Sequence, residues 1–147
     1  MNRLRPVDGV KQLVLVVDDD AGVRDSLKFT LEVEGFEVRT YSSAQELLNE
    51  KSLRASSCLV TDYHMPAMTG LELVDQLRDR RISIPTILIT SLADENLCNR
   101  AASGGVLLID KPVFGGRLLD ALRKAFDGQS ESSSDRSYLQ GLSDKWK

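Results

Sequence analysis

Three consecutive carboxylates, Asp18, Asp19 and Asp20, directly follow the apolar run LVLVV at positions 13–17. Like charges held a few ångströms apart disfavour one another's ionisation, so the group needs a cation or hydrogen-bond donors to compensate it. Carboxylate oxygens suit a hard divalent cation, and Mg²⁺ prefers a few protein ligands together with waters and phosphate oxygens. A zinc site is disfavoured because the chain has one histidine and two widely separated cysteines. The stretch therefore indicates a magnesium site that includes Asp18 and Asp19.

Other reactive side chains also stand where an apolar run ends. Asp62 follows CLVT, Thr90 closes TILI, and Lys111 comes after LLID. A carboxylate can act as a nucleophile towards phosphorus if a metal and a cationic group neutralise the phosphoryl oxygens. Asp62 is the best candidate nucleophile, since it stands alone at the end of its run. Lys111 offers a point charge for a phosphoryl oxygen, and Thr90 offers a rotatable hydroxyl.

These residues must be positioned by an alternation of strands and helices. Short Val- and Ile-rich runs predict strands, and leucines at helical spacing predict helices between them. Asp20 is equally suited to cap the first helix or to bind metal, and Gly35 is suited to end that helix. The predicted strands cover 12–17, 36–41, 58–62, 85–90 and 106–110, and the predicted helices cover 21–35, 44–50, 70–81, 92–103 and 117–126.

Five strand and helix pairs with short connections predict an α/β fold with a parallel sheet between helices. We expect a doubly wound sheet of five strands in the order 2-1-3-4-5, because that order lets the polar residues at the strand ends converge. In such a sheet ligands collect beyond the carboxyl ends of the strands, which would bring Asp18, Asp62 and Lys111 together. We expect the last helix to begin late or to fray, because Gly115 and Gly116 are poor helix residues.

Composition limits the class of protein. A chain of 147 residues suits one domain, and a net charge of -3 gives no reason to expect general nucleic-acid binding. We expect a domain over 10–127, an N-terminal extension over 1–9, and a polar, Ser-rich flexible tail or linker over 128–147. Cys58 and Cys98 lack a CxxC pattern, and no run suggests a membrane span or a secretory signal. These features favour a reduced, cytoplasmic setting.

Four motifs together resemble the receiver domain of two-component response regulators. They are VVDDDAGVR, LVTDYHMPAMTG, ILITS and LLIDKP, in that order and suitably spaced, within about 10–127. Each motif alone is weak, whereas four in register are specific. The resemblance implies the flavodoxin-like receiver fold and a phosphorylated signalling switch, rather than an enzyme acting on other substrates.

Six residues match functional positions of that family. They are Asp62 as the phosphoacceptor, Asp18 and Asp19 as the acidic pair at the metal site, His64 as a metal contact through its backbone carbonyl, Thr90 as the switch hydroxyl, and Lys111 as the partner of the phosphoryl group. Asp62 also contributes to the metal site. One position departs from the pattern, because Leu108 stands where family members often have Tyr or Phe.

The resemblance also implies partners. A sensor histidine kinase would donate the phosphoryl group in the presence of Mg²⁺, and a downstream protein or output domain would receive the signal. No contact with nucleic acid or membrane is expected from this domain, and homodimer formation stays open.

Two alternatives compete with this interpretation. A haloacid-dehalogenase-type phosphatase would use Asp18 as nucleophile and Asp20 as acid, but it needs a further acidic pair on a strand after Lys111, which the sequence does not offer. A pseudo-receiver that only binds partners would not need the complete set of phosphorylation residues.

Overall fold

The computed structural model describes residues 11–54, 56–91, 93–111, 113 and 115–130. The predicted extension 1–9 and most of the predicted tail, 131–147, lie outside the described residues. Strands and helices alternate along the chain in the order β1 (Leu13–Val17), α1 (Ala21–Val33), β2 (Glu37–Tyr41), α2 (Ala44–Leu48), β3 (Cys58–Asp62), α3 (Gly70–Asp79), β4 (Thr86–Thr90), α4 (Glu95–Ser103), β5 (Leu107–Asp110) and α5 (Gly115–Ser130).

The five strands form one parallel sheet in the order β2-β1-β3-β4-β5, as predicted. Val17 pairs with Thr61, and Thr90 pairs with Asp110, so the carboxyl ends of neighbouring strands are level. Every residue of β1, β3 and β4 is buried. Continuous burial explains why these strands read as unbroken apolar runs rather than as alternating patterns.

Helices cover both faces of the sheet. Leu27 and Leu31 of α1 pack with Leu118 and Leu122 of α5 on one face. The other face carries α2, α3 and α4, with Leu47 of α2 in one apolar cluster and α3 and α4 sharing another. The fold is therefore doubly wound around two apolar layers.

Side-chain caps fix where several helices begin. The Asp20 carboxylate accepts hydrogen bonds from the backbone N–H groups of Gly22 and Val23, so it caps α1. Thr69 and Glu72 form a capping box at the start of α3. Gly35 has φ +100°, a left-handed conformation that suits glycine after the end of α1. Of the two roles expected for Asp20, capping is the one that the structure shows.

The last helix departs from the prediction. It begins at Gly115, so the expectation that the two glycines would delay it to Arg117 is wrong. Packing explains the difference, because Leu118, Ala121, Leu122 and Phe126 are buried against the sheet and outweigh the low helix propensity of glycine. The helix extends to Ser130, and thus includes the first three residues of the predicted tail. Within the described residues, no helix combines the length and the apolar character needed to cross a membrane.

Candidate functional site

The carboxylates of Asp18, Asp19 and Asp62 meet at the carboxyl edge of the sheet. Each offers one oxygen, and these oxygens all lie within 4.8 Å of one another. The Lys111 ammonium, just after β5, lies 3.5 Å from Asp62 Oδ1 and 4.0 Å from Asp18 Oδ2. Adjacent parallel strands β1 and β3 end side by side, which places these groups in one small hollow.

Asp18 is held by contacts from three directions. Its N–H donates to the Tyr41 carbonyl at 3.2 Å, its Oδ1 accepts from the Asp20 N–H at 2.9 Å, and its carbonyl accepts from Arg24 Nη1 at 2.7 Å. The residue is 1% exposed, and its Oδ2 is buried without a hydrogen-bond partner. That oxygen lies 4.0 Å from Lys111 Nζ, on the side of Asp62, so it is available for a cation.

Burial raises the pKa of both Asp18 and Asp62 above their ordinary value. Desolvation is the main cause for each, and neighbouring carboxylates add to it. The Lys111 charge opposes the rise at both residues, and the His64 backbone N–H, bonded to the Asp62 carboxylate, also lowers the pKa of Asp62. Each carboxylate therefore ionises at a cost that a further positive charge would reduce.

The segment after β3 holds Asp62 in a fixed position. The Tyr63 N–H donates to the Ile89 carbonyl at 2.8 Å, and the Tyr63 carbonyl accepts from the Gly70 N–H at 2.9 Å. A Cβ on Gly70 would lie 2.5 Å from Leu88 Cδ1 and 2.7 Å from the Asp62 carbonyl oxygen. Only glycine allows α3 to begin this close to the end of β3.

Thr90 and Lys111 are placed together at the ends of β4 and β5. The Lys111 N–H donates to the Thr90 carbonyl at 2.8 Å, and Thr90 is fully buried. His64 is exposed, two residues after Asp62. The hollow thus combines two buried carboxylates, one exposed carboxylate, an ammonium and, at the end of the adjacent strand, a threonine.

These oxygens fit a hard divalent cation. They are carboxylates without nitrogen or sulfur, and the orphaned Asp18 Oδ2 is the kind of buried atom that a cation satisfies. Lys111 is the only cation within ion-pair distance of the three carboxylates among the described residues. One ammonium does not balance three negative charges.

Comparison with known proteins agrees with this geometry. The family model described as the response regulator receiver domain matches residues 14–123. The chain belongs to the response regulator receiver family. It is the receiver domain of a two-component response regulator, as the motifs indicated.

Individual proteins are similar over most of this chain. The transcriptional regulatory protein FixJ of Rhizobium meliloti is 34% identical over 140 residues, which is 90% of this chain and 69% of FixJ. The C4-dicarboxylate transport transcriptional regulatory protein DctD of Pseudomonas aeruginosa is 34% identical over 86% of this chain, but this chain spans only 28% of DctD. A CheY-like receiver structure from Methanospirillum hungatei shares 30% identity with a TM-score of 0.74, and covers 82% of this chain and 98% of its own.

The structure of this receiver brings together most of the residues that the sequence singled out. Asp18, Asp19, Asp62 and Lys111 lie in one hollow, with Thr90 at the adjacent strand end. The phosphatase and pseudo-receiver alternatives find no support in the comparisons. The acid that the phosphatase would require, Asp20, has its carboxylate engaged as a helix cap.

Sequence reasoning missed three residues of this receiver's site. Arg24 holds the Asp18 carbonyl, Gly70 packs against the end of β3, and the Tyr63 hydroxyl lies 3.4 Å from Arg100 Nη1 on α4. Arg24 closes the first motif and Gly70 closes the second, so their presence in the motifs was the available signal. Leu108, in the slot often held by an aromatic residue, is 1% exposed within the apolar cluster against which Tyr63 packs.

Proposed function

We propose that Asp62 is the residue of this receiver that becomes phosphorylated. The observation that carries the proposal is the Asp62 carboxylate, 5% exposed, with the Lys111 ammonium 3.5 Å away and the oxygens of Asp18 and Asp19 beside it. A carboxylate attacks phosphorus readily only where cationic charge neutralises the phosphoryl oxygens.

In the proposed reaction, an Asp62 carboxylate oxygen forms a bond to the phosphorus of a phosphohistidine on a sensor histidine kinase. The phosphorus–nitrogen bond breaks, and the imidazole nitrogen leaves with its electron pair. The product is an acyl phosphate on Asp62. Lys111 contributes positive charge to one phosphoryl oxygen, and the Thr90 hydroxyl donates a hydrogen bond to another.

Four oxygen donors are proposed for the cation: the carboxylates of Asp18, Asp19 and Asp62, and the backbone carbonyl of His64. When bound there, Mg²⁺ would neutralise phosphoryl charge as it develops. The Asp18 carboxylate suits this role because its turn already aims Oδ2 into the hollow.

Phosphorylation would act as a conformational switch. The acyl phosphate would carry roughly two negative charges where the Asp62 carboxylate carried one, and bonds from Lys111 and Thr90 to its oxygens would shift the ends of β4 and β5. Moving a population from 1% to 99% active needs about 5.5 kcal/mol of differential stabilisation, within reach of a few charge-assisted hydrogen bonds. Helix α4 follows β4 directly, so it is the first element that such a shift would reach.

The recipient of the signal is proposed to be an output domain or a separate protein. FixJ and DctD are both named transcriptional regulatory proteins, and this chain spans only part of each. We place the exchange in the cytoplasm, where the free thiols of Cys58 and Cys98 stay reduced. Three further points stay predictions. They are domain bounds of 10–127, the absence of nucleic-acid contact by this domain, and homodimer formation.

The test is labelling by a small acyl phosphate in the presence of Mg²⁺, followed by intact-mass measurement. The wild-type chain should gain one phosphoryl group, which excess chelator should prevent. Asp62→Asn should gain none, whereas Asp75→Asn, a matched change of an exposed carboxylate on α3, should label like the wild type. Undiminished labelling of Asp62→Asn would refute the assignment.

A further inference from the structure

Three of the four hydrogen-bonding groups of Asp18 are occupied, which leaves one oxygen for the hollow. The N–H is bonded to β2, Oδ1 is bonded within its own turn, and the carbonyl is bonded by Arg24. Of the three partners of Asp18, only Arg24 uses its side chain, whereas Tyr41 and Asp20 use backbone groups. The hydrogen bond from Arg24 is also the shortest of the three, at 2.7 Å.

We propose that Arg24 is a positioning residue for metal binding: its guanidinium fixes the Asp18 backbone so that Oδ2 stays aimed at the cation. The inference rests on the proposed function, since it concerns the cation site described there. Arg24 is not itself a ligand, because a guanidinium has no acceptor atom.

The surroundings of Arg24 make this role specific. Its own N–H donates to the Asp20 carbonyl at 3.0 Å in the first turn of α1, and Asp20 caps that helix. Arg24 is also close enough to Glu46 on α2 for its charge to lower the pKa of Glu46, after the larger effect of the Ser42 N–H. The guanidinium thus lies near α2 while its hydrogen bond goes to the turn between β1 and α1.

Loss of the guanidinium would leave the fold largely intact. Arg24 is half-buried, and the N–H and Oδ1 of Asp18 would keep their partners. The Asp18 carbonyl would lose its charge-assisted hydrogen bond, and the peptide that follows could rotate. Residues that orient a metal ligand typically change metal affinity by about 10- to 100-fold when they are removed.

The experiment is a calorimetric titration of the full chain with MgCl₂, with the melting temperature measured separately in chelator. Arg24→Met keeps the apolar stem and removes both charge and donor, and should raise the Kd for Mg²⁺ at least about tenfold. Arg24→Lys keeps a charged donor and should recover part of that loss. Lys28→Met removes a cation from the same helix, where it pairs with Glu32, and should leave the Kd within about twofold of wild type.

Each outcome separates this inference from the proposed function. A wild-type chain that binds no Mg²⁺ would overturn both. Wild-type binding with an unchanged Kd in Arg24→Met, or an equal loss in Lys28→Met, would overturn the role of Arg24 alone. If Arg24→Met does not fold in chelator, Arg24→Gln takes its place, and a Kd equal to that of Lys28→Met would be the refuting result.

Discussion

The close approach of α3 to β3 makes Gly70 the most demanding position near the site. In Gly70→Ala the new Cβ would lie 2.5 Å from Leu88 Cδ1, 2.7 Å from the Asp62 carbonyl oxygen and 3.2 Å from Thr61 Cγ2. Leu88 can adjust its rotamer, but the Asp62 oxygen is backbone and can move only with the strand end. Overpacking of this kind costs about 1–3 kcal/mol, and the helix propensity of alanine returns at most about 1 kcal/mol.

We therefore expect Gly70→Ala to lower the free energy of unfolding by about 1–2 kcal/mol. For a domain of this size the melting temperature should fall by roughly 4–8 °C. Because the displaced atom belongs to Asp62, labelling by the acyl phosphate should also slow. Urea unfolding followed by circular dichroism measures the first effect, and intact mass against time measures the second.

A second glycine at the start of a helix supplies the control. A Cβ on Gly116, in the first turn of α5, would meet no atom within 4 Å. Gly116→Ala should be neutral or stabilise the protein by up to about 1 kcal/mol, with unchanged labelling. If Gly70→Ala proved as stable as Gly116→Ala, the packing argument for the end of β3 would be wrong.

Three further changes test other parts of the structure. Asp20→Ala should cost about 1 kcal/mol in urea unfolding through loss of the α1 cap, whereas Asp20→Ser should retain most of that stability; equal losses would contradict capping. Ala67 has φ 72°, so Ala67→Gly should raise the free energy of unfolding measured in urea by up to about 1 kcal/mol, and a lower value would contradict strain there. Burial raises the pKa of Asp62, so the folded state binds its proton more tightly and metal-free stability falls as pH rises from about 3.8 through the folded pKa. Asp62→Asn should therefore be the more stable protein at pH 7 in chelator, with a gap that closes in acid; a gap that widens in acid would reverse the sign of the shift.

The fold could be predicted because its determinants are local and repeated. Buried parallel strands need apolar residues on both faces, so Leu13–Val17 and Thr86–Thr90 are visible as unbroken runs. The alternation and the short connections indicate a parallel sheet, and the order 2-1-3-4-5 is the one that lets the polar strand ends converge. The start of α5 was misjudged, because propensity at Gly115 is local whereas the burial of Leu118 and Leu122 that holds the helix is tertiary.

The residues of the candidate site that stand at strand ends could also be predicted. Carboxylates at strand ends converge in any sheet of this topology, so Asp18 and Asp62 could be paired in advance. Contacts that depend on a specific approach of two elements could not. The spacing between Arg24 and Asp18 does not reveal which backbone oxygen the guanidinium reaches. The sequence around Gly70 does not indicate how close α3 comes to β3.

The charges in the hollow imply that folding and metal binding are separable. Among the described residues, Lys111 alone pairs with the buried carboxylates, and the Arg24 guanidinium is engaged by a carbonyl instead. The metal-free site therefore holds an excess of negative charge, which raised pKa values partly relieve by favouring protonation. Phosphorylation would replace the single charge of the Asp62 carboxylate by roughly two negative charges, so the excess would grow by about one. A cation is thus optional for the fold, whose core is apolar, but required for the acyl phosphate, so chelator should abolish labelling while leaving the protein folded.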